Sequence, residues 1–124
     1  MAIILHITKQ ESWMEAKRTG KYVAGSLPKQ GFIHCSTSEQ VIPVANFLFR
    51  GQRGLVLLCI DEARLDAEVK YENVEGGQKL FPHVYGPIPC DAVVDVLQFP
   101  PSDDGTFSLP PTLDRAGPKD EAKR

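Results

Sequence analysis

The sequence has no long hydrophobic run, no strong excess of one charge and few cysteines, and each of these absences excludes a class of protein. No stretch of the 124 residues approaches the roughly 20 apolar residues that a membrane-spanning helix needs. The N-terminus has no basic segment leading into a long apolar one, so no signal peptide is expected. The net charge of −2 gives no overall attraction to nucleic acids or anionic membranes.

The three cysteines are an odd number and form no Cys-x-x-Cys motif. Cys35, Cys59 and Cys90 each lie in apolar surroundings. Such cysteines are typical of reduced, mostly buried thiols. The sequence therefore predicts a cytoplasmic protein.

What the sequence does have is an alternation of strand-like and helix-like segments, with enough hydrophobic residues (42%) for one core. Two stretches with capping-box spacing, residues 8–11 and 37–40, each predict a following helix. Residues 21–30 are expected to form an irregular crossing loop. Strands are expected at residues 3–8, 31–36, 55–60, 67–72, 81–86 and 92–99. This order predicts a single α+β domain in which a bent or split β-sheet carries two early helices.

The composition changes after the last expected strand. Residues 102–124 contain paired prolines, paired aspartates and a charged end, with little to bury. We therefore expect a domain over residues 1–101 and a Pro-rich, disordered or loosely attached tail over residues 102–124.

Each of the three histidines is followed two residues later by a hydroxyl residue: His6 by Thr8, His34 by Ser36, and His83 by Tyr85. Residues two apart along a strand point to the same face of a sheet. Each histidine should therefore share a face with its hydroxyl, as in a polar cleft built on a sheet. Taken singly, His6 and His34 fit a hydrogen-bonded core position better than a site.

The first two pairs lie where a strand ends and a helix is expected to begin. Strand ends often carry binding sites, and a helix N-terminus favours phosphate groups. Thr8 could instead be an N-cap that needs no ligand. Ser36 precedes the expected cap Thr37, so its hydroxyl is freer to bind a ligand.

The third pair lies in an unusual segment, residues 81–87, which mixes aromatic residues, proline, glycine and histidine. It is either a rigid connector or the wall of a cleft, with Phe81 and Tyr85 facing a ring and His83 offering a hydrogen bond. Near the end of the preceding strand lie carboxylates that form a solvated face or stabilise a developing positive charge: Glu68, Glu72 and Glu75.

The strings Leu-His-Ile-Thr (5–8), Gly-Phe-Ile-His-Cys-Ser (31–36) and Phe-Pro-His-Val-Tyr-Gly-Pro (81–87) resemble the family known as domain of unknown function 952, over roughly residues 3–98. The family has no established activity, and the resemblance implies the fold of ADP-ribosyltransferases. The first two strings are also similar, more weakly, to motifs of ADP-ribosyltransferases and RNA 2′-phosphotransferases.

In those enzymes the two motifs hold NAD or its ADP-ribose portion. The resemblance therefore implies that His6 contacts the nicotinamide ribose, that Thr8 adjoins it, and that His34 and Ser36 lie along the cofactor. The implied chemistry is loss of nicotinamide through a ribosyl cation that a carboxylate stabilises, with Glu72 and Glu75 as the candidates. His6 and His34 would orient the ribose.

The sequence departs from those enzymes in three places. Ile7 replaces a glycine of the first motif. No arginine precedes the first strand, and a later arginine of the phosphotransferases has no clear counterpart. The fold therefore carries over better than the activity does.

Three functions stay open from the sequence. The first is an NAD-dependent transfer of ADP-ribose or phosphate, with no nucleic-acid partner expected other than an RNA end. The second is a non-catalytic module that binds a nucleotide or another small molecule. The third is a metal site formed by the three histidines, although their spacing in sequence is not that of common zinc sites.

Overall fold

The computed structural model describes residues 2–73 and 79–115, which form a mixed α+β domain. Its strands are β1 (Ile3–Lys9), β2 (Lys21–Tyr22), β3 (Ile33–His34), β4 (Leu55–Asp61), β5 (Val69–Glu72), β6 (Phe81–Val84), β7 (Ile88–Pro89) and β8 (Val93–Gln98). Its helices are α1 (Gln10–Thr19), α2 (Ser26–Gln30), α3 (Val41–Leu48) and α4 (Pro111–Arg115). The predicted α+β class and split sheet are confirmed.

The strands form three antiparallel sheets among the described residues. The first has the order β1-β4-β8, the second pairs β2 with β7, and the third has the order β3-β6-β5. An isolated bridge between Leu5 and Ser36 joins the edge of the first sheet to the segment that leaves β3. This junction brings the middle of β1 beside the segment that follows β3.

The continuous apolar run of β4 forms the central strand of the first sheet, as its sequence predicts. All seven residues of β4 are buried, because both faces of the sheet are covered. One face packs against α1 and the small β2–β7 sheet through residues such as Ala16, Tyr22 and Ile88. The other face packs against α3 and the C-terminal segment through Val41, Ala45 and Phe107.

Both helix starts differ from the expected ones. Thr8 still belongs to β1, and Lys9 occupies the N-cap of α1 without a side-chain bond. The second expected helix is α3, which begins at Val41. It follows a turn in which the Gln40 side chain accepts a hydrogen bond from the Thr37 N–H at 3.0 Å. The polar sequence 37–40 therefore forms the turn before the helix rather than its first turn.

Two expectations about irregular segments were wrong. Residues 21–30 contain β2 and α2 instead of a plain loop. Residues 102–113 were expected in a loose tail, yet Phe107 is buried and stacks on Phe99 with ring centroids 4.7 Å apart. The Phe107 N–H also donates to Asn46 Oδ1 at 2.7 Å. Residues 116–124 lie outside the described part of the chain.

None of the described helices is long and apolar enough to cross a membrane.

Candidate functional site

The His6 side chain lies at the junction of the first and third sheets, where it bonds to two other segments. Its Nδ1 lies 2.6 Å from the backbone oxygen of His34, and its Nε2 lies 2.8 Å from the hydroxyl of Tyr22. A hydrogen bond of 2.9 Å also joins the hydroxyls of Tyr22 and Thr8. These contacts connect β1, β2 and β3.

The partners of His6 fix its protonation state. A carbonyl oxygen only accepts, so the His6 proton is on Nδ1. Burial lowers the pKa of His6 to about 4, so the ring is neutral and Nε2 accepts the Tyr22 proton. The Thr8 hydroxyl then donates to the Tyr22 oxygen. Because both ring nitrogens of His6 are used, a ligand could bind either one only by exchanging one of these bonds.

The Glu72 carboxylate forms a second cluster at the end of β5. Its Oε1 accepts hydrogen bonds from the Tyr85 hydroxyl and from His83 Nδ1, the latter at 3.1 Å. These two bonds, that of Tyr85 first, lower the pKa of Glu72, so the carboxylate is ionised at neutral pH. Among the described residues, Glu72 Oε2 has no hydrogen-bond partner.

Aromatic rings hold the second cluster in place. The Phe32 ring stacks on the His83 ring, with centroids 4.2 Å apart and 19° between the planes. It also makes an edge contact with the His34 ring, with centroids 4.8 Å apart. His34 Nε2 donates to Gln30 Oε1 at 2.8 Å. His34 and His83 are also cross-strand partners in β3 and β6, and their ring centroids lie 5.4 Å apart.

The two clusters border one cleft of about 370 Å³, within the usual size range of small-molecule sites. Its apolar side comes mostly from β1 and α3, with Leu5, Ile7, Val44, Leu48 and Phe49. Its polar side includes His6, His34, Ser36, Glu72 and His83. Phe81 lines the cleft beside Glu72, its cross-strand partner. The cleft therefore combines an apolar wall with one oriented negative charge.

The Ser36 hydroxyl is the polar group of the cleft that most calls for a ligand. Ser36 is only 5% exposed, and its side chain has no hydrogen-bond partner among the described residues. Buried hydroxyls in folded proteins nearly always have a partner, which can be a water or a ligand. A molecule in the cleft can supply that partner.

The three histidines do not form a metal site. Both nitrogens of His6 are occupied, and His83 Nδ1 is bonded to Glu72. Over residues 2–73 and 79–113, no three His, Cys, Asp or Glu side chains are grouped so that they could hold a metal ion. The three-histidine alternative is therefore wrong for this part of the chain.

A family model described as "Protein of unknown function (DUF952)" matches residues 7–96. The chain belongs to the DUF952 family. It is similar to a crystal structure of protein CC0527 from Caulobacter crescentus, with 33% identity, a TM-score of 0.78, and coverage of 87% of this chain and 95% of that one.

A solution NMR structure of the same Caulobacter crescentus protein gives a TM-score of 0.77 at 34% identity, with 88% and 94% of the two chains covered. No curated protein matches the sequence. The comparisons thus establish the family, for which no function is known, and they leave the relation to ADP-ribosyltransferases as an expectation.

The site residues named from the sequence fall into two groups in this DUF952 protein. His6, His34, Ser36, Glu72, Phe81 and His83 line the cleft. Thr8 and Tyr85 lie behind it, where Thr8 bonds to Tyr22 and Tyr85 bonds to Glu72. Of the other carboxylates, Glu68 is exposed and outside the lining, and Glu75 lies outside the described residues.

Sequence reasoning missed Tyr22 and Phe32, the two side chains that support the histidines. Tyr22 lay in an expected loop, and nothing local marks it as a partner of His6. Phe32 precedes His34 by two residues and so shares its face, a signal that could have identified it.

The prediction of buried thiols holds for Cys35 and Cys59. Both side chains are buried, and burial raises their pKa values.

Proposed function

We propose that the cleft of this DUF952 protein binds a nucleotide of the NAD or ADP-ribose type, by the part of the molecule that carries the nicotinamide ribose. The observation that carries the proposal is the pairing of two unsatisfied polar groups in one cleft. The buried Ser36 hydroxyl and Glu72 Oε2 both lack a partner among the described residues, and both residues line the cleft. A ribose offers hydroxyl groups that can bond to each of them.

The other parts of such a ligand find different surroundings. A flat ring can lie against Phe81 and the apolar side chains of α3. The phosphates have no such partner, because no lysine or arginine of the described residues lines the cleft. We therefore place the ring and ribose inside the cleft and the phosphates at its mouth.

Catalysis, if the site performs it, depends on Glu72. Bound NAD would supply a ribose whose bond to nicotinamide breaks with the electron pair leaving on the nicotinamide. The ionised Glu72 stabilises positive charge that develops on the ribose, as a carboxylate does in glycoside cleavage. Tyr85 and His83 hold this carboxylate in one orientation. His6 and His34 line the same cleft and act as positioning residues.

The cleft supports transfer of ADP-ribose better than transfer of a phosphate. Phosphoryl chemistry needs cations that neutralise the transferred group. Among the described residues, the cleft lining offers none from lysine or arginine. The same reason disfavours a phosphorylated RNA end as the ligand.

Ile7 favours the second candidate, a binding module without catalysis. Its side chain lines the cleft where the resembling enzymes have a glycine. A branched side chain there narrows the approach of a ligand to the backbone of β1. The two candidates share the same ligand and differ only in whether the nicotinamide leaves.

Binding is tested by isothermal titration with NAD and with ADP-ribose. We expect Ser36→Ala to weaken binding about fivefold, the effect of one lost hydrogen bond. Ser12→Ala, in the exposed face of α1, should leave affinity unchanged. The proposal fails if the unmodified protein binds neither NAD nor ADP-ribose at millimolar concentrations.

Catalysis is tested by measuring free nicotinamide after incubation with NAD and a large excess of protein. Release that is abolished in Glu72→Gln, with NAD binding retained, supports the transfer reaction. Binding without any release by the unmodified protein supports the binding module. Release that survives in Glu72→Gln would reject Glu72 as the stabilising carboxylate.

A further inference from the structure

The described side chains that line the cleft include a negative charge but no lysine or arginine. Among the described residues that line it, Glu72 is the one Asp or Glu side chain, and no lysine or arginine is present. Burial keeps His6 neutral. A cation in the cleft would therefore meet a negative group, whereas an anion would meet no compensating lysine or arginine.

Lys70 does not cancel this charge inside the cleft. It is exposed, does not belong to the lining, and places Nζ 4.9 Å from the centre of the Tyr85 ring. Its charge contributes to the lowered pKa of Glu72, but less than the bonds from Tyr85 and His83 do. The Lys70 ammonium faces water, where its charge is strongly screened.

The surroundings of Glu72 suit an organic cation rather than a hydrated metal ion. Phe81 is the direct cross-strand partner of Glu72. The Cβ atoms of such partners lie about 5 Å apart. The face of an aromatic ring attracts a cation, and a carboxylate beside it adds a charge. Both donors to Glu72 use Oε1, which leaves Oε2 for the ligand. The rest of the cleft is largely apolar and accommodates the body of the molecule.

We propose that the cleft selects a small organic cation with a flat or apolar body over neutral and anionic molecules of the same shape, with Glu72 and Phe81 as the determinants of selectivity. This inference deepens the proposed nucleotide function and rests on the same cleft. For nicotinamide nucleotides, it means that the oxidised ring, which carries a positive charge, binds better than the reduced ring, which does not.

The test compares three ligands that share one ring and differ in charge: N1-methylnicotinamide, a cation, nicotinamide, which is neutral, and nicotinate, an anion. Their affinities are measured by NMR titration at pH 8, where imidazole in water is neutral. We expect the cation to bind about fivefold more tightly than nicotinamide, as one partly exposed charge pair allows, and nicotinate to bind more weakly than both.

Two matched variants identify the source of the selectivity. Glu72→Gln keeps the shape of the side chain and its bonds from Tyr85 and His83 but removes the charge, so the cation and nicotinamide should bind equally. Glu68→Gln removes a charge from an exposed residue just before β5 that does not line the cleft. It should keep the full preference of the unmodified protein.

The outcomes separate this inference from the proposed function. Preference for the cation without any binding of NAD or ADP-ribose would retain the inference and reject the nucleotide. Binding of NAD with equal affinity for N1-methylnicotinamide and nicotinamide would retain the nucleotide and overturn the inference. The inference is also overturned if none of the three ring compounds binds at 10 mM (about the weakest affinity expected for so small a ligand), or if Glu68→Gln abolishes the preference as completely as Glu72→Gln does.

Discussion

At the scale of single residues, the His6 imidazole is neutral at pH 7, and both of its ring nitrogens are already hydrogen-bonded. Its pKa is about 4 in the folded protein, chiefly because burial disfavours the charged ring, and the bond to the His34 oxygen offsets only part of this effect. An unfolded chain has a His6 pKa of about 6.5. Between these values the unfolded chain binds more protons, so His6 contributes stability above pH 6.5 that is lost as the pH falls towards 4.

The first prediction concerns this loss. Between pH 7 and pH 4, His6 should account for a decrease of up to roughly 3 kcal/mol in the free energy of unfolding. Urea denaturation should therefore show a flatter pH dependence for His6→Gln than for the unmodified protein. An NMR titration provides the direct measurement, and a His6 ring that titrates near pH 6.5 in the folded protein would contradict the assignment.

The second prediction concerns the residue that orients Glu72. Because the Tyr85 hydroxyl is the largest cause of the lowered pKa of Glu72, Tyr85→Phe should raise that pKa toward its ordinary value. The control is Tyr71→Phe. Tyr71 is next to Glu72 in the chain, but its hydroxyl donates to Glu62 and not to Glu72. Titration of the carboxylate by carbon NMR measures both. An unchanged Glu72 pKa in Tyr85→Phe would show that the bond is absent in solution.

At the scale of elements, the exit from β6 depends on a close approach of two backbones. A β-carbon added at Gly86 would lie 2.7 Å from Cβ of Ala67, which the backbone fixes in place. The Tyr85 N–H also donates to the Glu68 oxygen at 2.9 Å, so the two segments are bonded where they approach. Gly86 is therefore required by packing in the segment that carries His83 and Tyr85.

The third prediction is that Gly86→Ala destabilises the protein by about 2 kcal/mol, the usual cost of forcing an extra carbon into a packed site. Gly25→Ala is the matched control, since an added β-carbon there meets no described atom within 4 Å beyond its own neighbours in the chain, and φ is −59°. It should be neutral or slightly stabilising. Thermal unfolding of both variants measures the difference, and equal stabilities would show that the backbones can move apart.

At the scale of the whole molecule, the C-terminal segment completes the second half of the core. Phe107, Leu109 and Leu113 pack on the face of the first sheet that also contacts α3. The Gly51 N–H donates to the Gly105 oxygen at 2.8 Å, which joins this segment to the loop that follows α3. Because α3 supplies part of the apolar wall of the cleft, the segment supports the site from outside.

The fourth prediction is that Phe107→Ala lowers the free energy of unfolding by about 3 kcal/mol, because a buried ring leaves a cavity. Phe47→Ala removes the same ring from a side chain that is 85% exposed, and should change stability by about 0.5 kcal/mol or less. Chemical denaturation compares the two variants. Similar small effects would mean that residues 102–113 form the loose tail that the composition predicts.

The sequence by itself determined the α+β class, the central position of β4 and the family. It also selected six residues that line one cleft. Alternation along a strand explains only that a histidine and its hydroxyl share a face, since Thr8 and Tyr85 lie behind the cleft. These properties depend on local pattern, and local pattern is present in the chain before it folds.

Only the tertiary structure decided the roles of those residues. The bonds of His6 to His34 and Tyr22, and the choice of Glu72 as the carboxylate of the cleft, join residues from different strands. Likewise, the composition of residues 102–113 indicated a tail, whereas a few apolar side chains sufficed to fill one face of the sheet. Burial, and with it the charge state of each group, depends on which segments meet, and no single segment of the sequence carries that information.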